Sequence, residues 1–227
     1  MARLTVRDLG HVGFSDAFRL QTKLVERVQA DRDQAYLLLL EHDPPVVTLG
    51  KSAKAEHVLA SAEQLAAAGV EVHKTTRGGD VTYHGPGQLV GYPILRIRDV
   101  RKYLRDLEEV LIRALARFGI GADRRQGSPA DARSGRFTGV WVGDEKIAAI
   151  GVAVRRWVTY HGFALNVAPD MAHFDLIVPC GLHGHPVTSL AQQLGRRITV
   201  EEVRPVVVEC FVEAFGFEDV QTDGNPG

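Results

Sequence analysis

The chain has 227 residues, 45% of them hydrophobic and 24% charged, a composition that excludes disorder and supplies ample apolar material for a core. Its 27 basic and 28 acidic residues leave a formal net charge of -1, which argues against a general nucleic-acid binder. Met1 to Phe14 carries no apolar stretch of signal-peptide length, and the longest apolar runs, Ala35 to Leu40 and Ile147 to Val154, fall short of the roughly 20 residues of a membrane span, so a soluble protein of the cytoplasm is expected.

In chain order, Ala17, Leu20, Leu24 and Val28 recur at helical spacing after Ser15, predicting an amphipathic helix capped by that serine. Gln34 to Glu41 and Val46 to Leu49 read as strands on either side of the turn-forming Asp43-Pro44-Pro45. Ser61 and Gln64 form a capping-box pattern, and Gly69 stands where a left-handed residue ends a helix. The strongest helix is expected from about Val100 to Phe118, with Tyr103, Leu107, Val110, Leu111, Ala114, Leu115 and Phe118 on a stripe that packs on a sheet and Gly119 after it. Gly139 to Val142, Lys146 to Val154 and Val158 to Asn166 follow as an antiparallel meander, turning at Gly143-Asp144. A last helix opens at Thr199, boxed by Glu202, and places Val203, Val206, Val207, Cys210, Phe211, Ala214 and Phe215 on one face. Helices mixed with antiparallel hairpins predict an α+β fold. No repeat, linker or composition shift marks a boundary, so one domain over residues 1–220 is the simpler reading, with 221–227 as a frayed tail.

The segment Arg77-Gly78-Gly79-Asp80-Val81-Thr82-Tyr83-His84-Gly85-Pro86-Gly87-Gln88 sets glycines among polar side chains between two apolar strands. Without Cβ atoms in the way, backbone approaches a ligand closely and presents N–H groups to a carbonyl or anion. A tight surface turn is the plainer alternative, but Arg77, Thr82, Tyr83, His84 and Gln88 are too dense a polar set for a turn alone, and a site is expected. Gly85-Pro86-Gly87 lacks the third glycine of a dinucleotide loop, and the chain has no Gly-x-x-x-x-Gly-Lys-Ser/Thr, so both nucleotide readings lose weight.

The two cysteines form neither a disulfide framework nor a Cys-x-x-Cys pair. Cys210 sits on an apolar helical stripe and reads as a small buried hydrophobe. Cys180 follows the apolar approach Ile177-Val178-Pro179 and precedes Gly181, which presents its thiol on a constrained bend. Exchange between thioesters is nearly balanced in free energy, so a thiol there suits acyl transfer. Such a nucleophile needs a base or a nearby positive charge, and His161, His173, His183, His185 and Lys146 are the candidates. Lys146 opens the apolar run Ile147 to Gly151, as a hairpin-mouth lysine or as a partly buried one that shuttles protons. Cys180-x-x-His183-x-His185 also offers ligands to a metal, but no second cysteine or acidic residue falls at a recognised spacing, and no metal is assigned. Arginine clusters at 96, 98, 101 and 105, and the pairs 124 and 125, 133 and 136, 155 and 156, and 196 and 197, read as solvated faces or as docking points for an acidic protein.

Three blocks in this order resemble the octanoyl (lipoyl) transferase family, related to the lipoate and biotin protein ligases: Arg77 to Gln88; Gly139-Val140-Trp141 through Lys146 to Gly151; and His161-Gly162-Phe163-Ala164-Leu165-Asn166 with Pro179-Cys180-Gly181. The similarity runs from about Leu20 to Phe215, with departures at Asp80, where the family more often has Gln or Lys, and at Thr138, where Pro is usual. The resemblance implies a mixed sheet flanked by helices, Cys180 as the residue that forms an acyl-thioester, and Lys146 as the lysine that tunes it. It implies an acyl site lined by Arg77, Gly78, Gly79, Asp80, Val81, Thr82, Tyr83 and His84, by Ala149, Ile150 and Gly151, and by Gly162, Phe163 and Ala164. Backbone N–H groups of the Cys180-Gly181 turn and the Gly78-Gly79 loop are the expected oxyanion donors. The implied reaction carries octanoyl from octanoyl-acyl carrier protein to a lysine ε-amine of lipoyl domains, in 2-oxoacid dehydrogenase E2 subunits and glycine cleavage H protein, with no cofactor, metal, nucleic acid or membrane. Its rivals are an ATP-dependent lipoate or biotin ligase on the same fold, to which a Pro-Cys-Gly nucleophile is unnecessary, and a carrier-protein-binding module in which Cys180 is structural.

Overall fold

The computed structural model of the protein describes residues 2–125, 137–182 and 184–223. The elements are β1 (Arg3–Val12), α1 (Phe14–Ala30), β2 (Gln34–His42), β3 (Val46–Leu49), α2 (Ala62–Ala67), β4 (Glu71–Lys74), β5 (Val81–His84) and β6 (Gln88–Ile94). They continue with α3 (Val100–Arg117), β7 (Asp123–Arg124), β8 (Gly139–Val142), β9 (Glu145–Arg155), β10 (Val158–Asn166), α4 (Leu190–Leu194), α5 (Val200–Phe215) and β11 (Val220–Asp223). Among the described residues, no helix is long and apolar enough to cross a membrane.

Side chains alternate across a strand, and β2 shows what this does to the core. Leu37 and Leu39 join an apolar cluster with α3 and α5, whereas Tyr36, Leu38 and Leu40 join another with α1. A strand buried on both faces belongs inside a sheet. It lies in an eight-stranded one, ordered β11-β1-β2-β6-β10-β9-β8-β7. The three strands from β11 to β2 run parallel, and every later neighbour pairs antiparallel. A smaller sheet, β4-β3-β5, has its own cluster of Val47, Leu65, Val70, Val81, Tyr83, Phe174 and Ile177.

The capping boxes at Ser61 and Thr199 form as expected, and Gly69, Gly119 and Gly216 end their helices with positive φ. The meander of β8, β9 and β10 is present. Three expectations need correction and one, the packing of the strongest helix on the sheet, holds and is extended. The first helix begins at Phe14 with Gly13 as its cap and no side-chain cap bond, because burial of the Phe14 ring outweighs the capping preference of Ser15. The strongest helix packs on α5 as well as on the sheet, since both share the cluster built on Leu107 and Phe211. Val81–His84, read as loop, is strand β5, paired antiparallel with β3. Residues 221–223, read as tail, pair in parallel with β1, and Arg3 and Arg7 form ion pairs with Asp219 and Asp223; residues 224–227 lie outside the described ones.

Candidate active site

The Cys180 thiol sits 3.2 Å from Lys146 Nζ, which donates a hydrogen bond to it across 34 residues of chain. On the cysteine side, Gly181 N–H donates to Val178 O at 3.0 Å and Leu182 N–H to Pro179 O at 3.1 Å, closing a tight turn. Both Cys180, at φ 58°, and Gly181, at φ 63°, are left-handed. A non-glycine residue pays on the order of 1–3 kcal/mol for such a conformation and keeps it only where neighbours hold it. Here Val178 N–H donates to His57 O at 2.8 Å, and the N–H groups of Leu59 and Ala60 donate to Leu176 O.

On the lysine side, β9 brings in a side chain that is only 5% exposed. The Lys146 N–H donates to Pro186 O at 2.9 Å and its carbonyl accepts from Thr188 N–H at 3.0 Å, while Nζ lies 5.3 Å from the Trp141 ring centroid. Gly139, across the β8–β9 hairpin, makes room for this side chain. With φ at 141°, its Cβ would stand 2.3 Å from Ala148 O and 2.8 Å from Lys146 Cε. Buried Glu108 of α3 holds that position by accepting from Gly139 N–H at 3.3 Å.

The thiol opens on a cleft of about 570 Å³, its mouth included, lined in part by Phe14, Thr48, Tyr92 and His161. One wall is the β9–β10 ladder, where Ala149, Ile150 and Gly151 face Ala164, Phe163 and Gly162 in register. The Phe163 ring occupies the place a Cβ on Gly91 of β6 would take, at 2.1 Å. Arg77, Gly78, Gly79, Asp80, Thr82 and His84 form the opposite wall.

That wall carries a buried cation. The Arg77 guanidinium donates to Thr48 O, Asp80 O, Gly78 O and Thr48 Oγ1 at 2.7 to 3.1 Å. Burial lowers its pKa, an effect opposed by the negative charge that Cys180, Tyr92 and Asp80 can carry. Three imidazoles nearby are held neutral chiefly by desolvation, His42 at a pKa of about 4 and His84 and His161 at about 3. His42 Nδ1–H donates to Val12 O, so its Nε2 accepts from the Tyr92 hydroxyl at 2.6 Å. His84 donates to Gln88 Oε1, Gln88 to Asn166 Oδ1, and Asn166 to Thr188 O, a chain that ties β5 to the segment beside Lys146.

Of the residues expected to line the site, all but Val81 and Tyr83 border the cleft or the thiol. These two alternate to the other face of β5, into the small-sheet cluster, where the Tyr83 hydroxyl shares a 2.8 Å hydrogen bond with His173 Nδ1. Of the bases considered, Lys146 is in contact with the thiol, His161 lines the cleft and His185 Nδ1 accepts from Arg125, while His183 lies outside the described residues, as does the arginine pair Arg133 and Arg136. Among the described residues, no group of three His, Cys, Asp or Glu side chains could hold a metal ion. Of the expected oxyanion donors, Gly78 N–H is engaged by Val152 O and Gly181 N–H by Val178 O. Sequence reasoning missed Phe14, Thr48 and Tyr92, which come from separate elements and carry no local motif. It also missed Glu108, which looks like one more solvent-facing acid on an amphipathic helix.

The sequence matches the model of the lipoyl protein ligase A/B catalytic domain over residues 14–212. It is 48% identical to an octanoyltransferase of Koribacter versatilis, over 92% of this chain and 82% of the relative. It is also 48% identical to an octanoyltransferase of Gloeobacter violaceus, over 96% and 93%. Among solved structures, a lipoate-protein ligase A bound with ATP superposes with a TM-score of 0.74 at 17% identity, covering 99% of this chain and 88% of the other. A biotin protein ligase from Aquifex aeolicus in complex with biotin has a TM-score of 0.51 at 11% identity, covering 93% and 70%. Both show the same fold.

Proposed function

We propose that this chain, which belongs to the family of lipoyl protein ligase A/B catalytic domains and within it to the octanoyltransferases, carries the octanoyl group as a thioester on Cys180. It is an acyltransferase of protein lipoylation. The observation that supports the covalent route is the 3.2 Å contact between the Cys180 thiol and a buried lysine. In the first half, Lys146 takes the thiol proton, and the thiolate attacks the carbonyl carbon of octanoyl-acyl carrier protein. The tetrahedral intermediate collapses with cleavage of the bond to the carrier's sulfur, which receives the proton back from Lys146. In the second half, the ε-amine of a lipoyl-domain lysine attacks the Cys180 thioester. The new amide bond forms, the Cys180 sulfur leaves, and the proton lost by the amine returns to the thiol through Lys146. Thioester exchange is nearly balanced and amide formation is downhill, so no step calls for ATP.

Gly79 and Cys180 are the backbone donors proposed for the oxyanion, since Gly78 and Gly181 are otherwise engaged. Phe14, Ile150 and Phe163 supply apolar surface for the hydrocarbon, each buried CH₂ contributing about 0.8 kcal/mol. E2 subunits of 2-oxoacid dehydrogenases and glycine cleavage H protein are the proposed acceptors, and the reaction is placed in the cytoplasm, where free thiols stay reduced.

Intact-protein mass spectrometry after incubation with octanoyl-acyl carrier protein, without ATP, tests the route. An octanoyl adduct on wild type and Cys210→Ser but not on Cys180→Ser is the expected result. No adduct on folded wild type would sink the thioester and favour the ATP-dependent ligase reading.

A further inference from the structure

Beside the thiol turn lies a buried polar pair that the mechanism does not use. His57 ends a short 3-10 turn, Ala55–His57, and Asp80 ends the Arg77 loop; each is 4% exposed. His57 Nδ1 and Asp80 Oδ2 are 2.7 Å apart. An ionised carboxylate only accepts, so the Nδ1 carries the proton. The other carboxylate oxygen accepts from Val81 N–H at 2.8 Å and Lys54 N–H at 3.3 Å, which anchors Asp80 to the chain on both sides of the pair.

Two observations connect this pair to Cys180. Gly181 is seated directly on it: a Cβ there would lie 2.7 Å from Asp80 Oδ2 and 2.7 Å from His57 Cε1. The backbone of the same histidine accepts from Val178 N–H at 2.8 Å, and Val58 bridges Ile177, so the segment leading into the thiol is hung on the His57 turn. The pair therefore spans the joint between the two walls that meet at the nucleophile. It has the Arg77 wall on one side, through Asp80, and the Pro179–Gly181 turn on the other, through His57. A left-handed cysteine needs such external support, and a charge-assisted hydrogen bond out of water is stiff enough to provide it.

We propose that His57 and Asp80 form a positioning pair that holds the Cys180 turn left-handed and the thiol within reach of Lys146. The inference rests on the thioester reading above. In this role the pair acts through the geometry of the turn and not on the reacting atoms. His57 belongs to none of the motifs singled out in the sequence.

The test measures the rate of octanoyl-adduct formation on Cys180 as a function of octanoyl-acyl carrier protein concentration. Four variants are compared with wild type. His57→Phe and Asp80→Leu keep side-chain volume but delete the hydrogen bond. His57→Asn and Asp80→Asn keep a polar group that can remake it. The apolar variants should lower the maximal rate about tenfold with the half-saturating concentration unchanged, and the polar ones should stay within about threefold of wild type. Combining both apolar changes should cost no more than either alone, as for residues acting as one unit. Wild-type rates in either apolar variant that folds would overturn the proposal. So would a failure of both apolar variants to fold while both polar variants melt as wild type and a Gly181→Ala chain, whose new Cβ strikes the pair, loads at the wild-type rate. An adduct absent from wild type itself is a different result: it removes the thioester reading and not this pair's contact with the turn.

Discussion

Cys180 and Cys210 carry the same functional group in opposite settings. Cys210 is fully buried on α5 among Val203, Val207 and Phe211, and burial pushes its thiol pKa up. Cys180 is partly exposed on a turn of two left-handed residues, with Lys146 Nζ 3.2 Å away and a buried arginine nearby. The first environment penalises a thiolate chiefly by desolvation, only partly offset by Arg117 and Arg113, and the second is built from charges and hydrogen-bond donors. Whether a thiol is a nucleophile or a space-filler is thus decided by the groups around it.

The largest test of this contrast is to remove the base. Lys146→Met keeps most of the side-chain volume, and octanoyl transfer to a lipoyl domain should fall about 10²- to 10⁴-fold, the range expected for loss of general acid–base catalysis. A rate within threefold of wild type would show that Lys146 is a bystander and erase half of the difference between the two cysteines. Gly139→Ala probes the same base indirectly. Its Cβ meets backbone at 2.3 Å as well as Lys146 Cε, at a φ that alanine rarely adopts. The expected outcome is a loss of about 1–3 kcal/mol in denaturant unfolding together with slower adduct formation. Unchanged stability and rate would mean that Lys146 has room elsewhere.

Acid separates the two regions in another way. His42, His84 and His161 have pKa values of about 4, 3 and 3 in the folded protein, against 6.5 for an ordinary histidine. Below pH 6.5 the unfolded chain takes up protons that these buried rings refuse, so it is favoured progressively as pH falls toward their folded values. Melting temperature should therefore drop between pH 6.5 and 4. His42→Phe, which has no ring to protonate, should flatten part of that slope; a slope identical to wild type would mean His42 is not kept neutral. The smallest effect is expected at the other thiol. Cys210→Ser places a hydroxyl in an apolar core and should cost about 1–3 kcal/mol of stability, measured by urea unfolding, with transfer unchanged. A loss of transfer without a loss of stability would mean the two cysteines are not as different as their settings indicate.

Periodic and punctuated features were legible without coordinates. The α3 and α5 stripes, the boxes at Ser61 and Thr199, and the β8–β10 meander depend on neighbours within a few residues, and local sequence states them. The same holds for the chemistry of the Pro179–Gly181 bend, since a cysteine between Pro and Gly is unusual in itself. β1, β4 and β11 were not legible. Their exposed or mixed side chains carry little alternation, and their hydrogen bonds come from strands far away in sequence. Val81–His84 looked like loop because its glycine neighbours dominate the pattern, whereas pairing with β3 makes it a strand and turns Val81 and Tyr83 away from the cleft.

The sequence by itself determined the residue types available for acyl transfer, the helical core and the family likeness, because each resides in short segments read in order. Only the tertiary structure decided that Gly78 and Gly181 already have carbonyl partners and that His57 and Asp80 join behind the thiol, and it set Lys146, which the family likeness had implied, 3.2 Å from Cys180. Apart from the local Gly181–Val178 bond, those facts are distances between residues separated by 23 to 74 positions, as in the His57–Asp80 and Gly78–Val152 contacts. Such distances follow from how two sheets and their helices pack, and no local propensity encodes them.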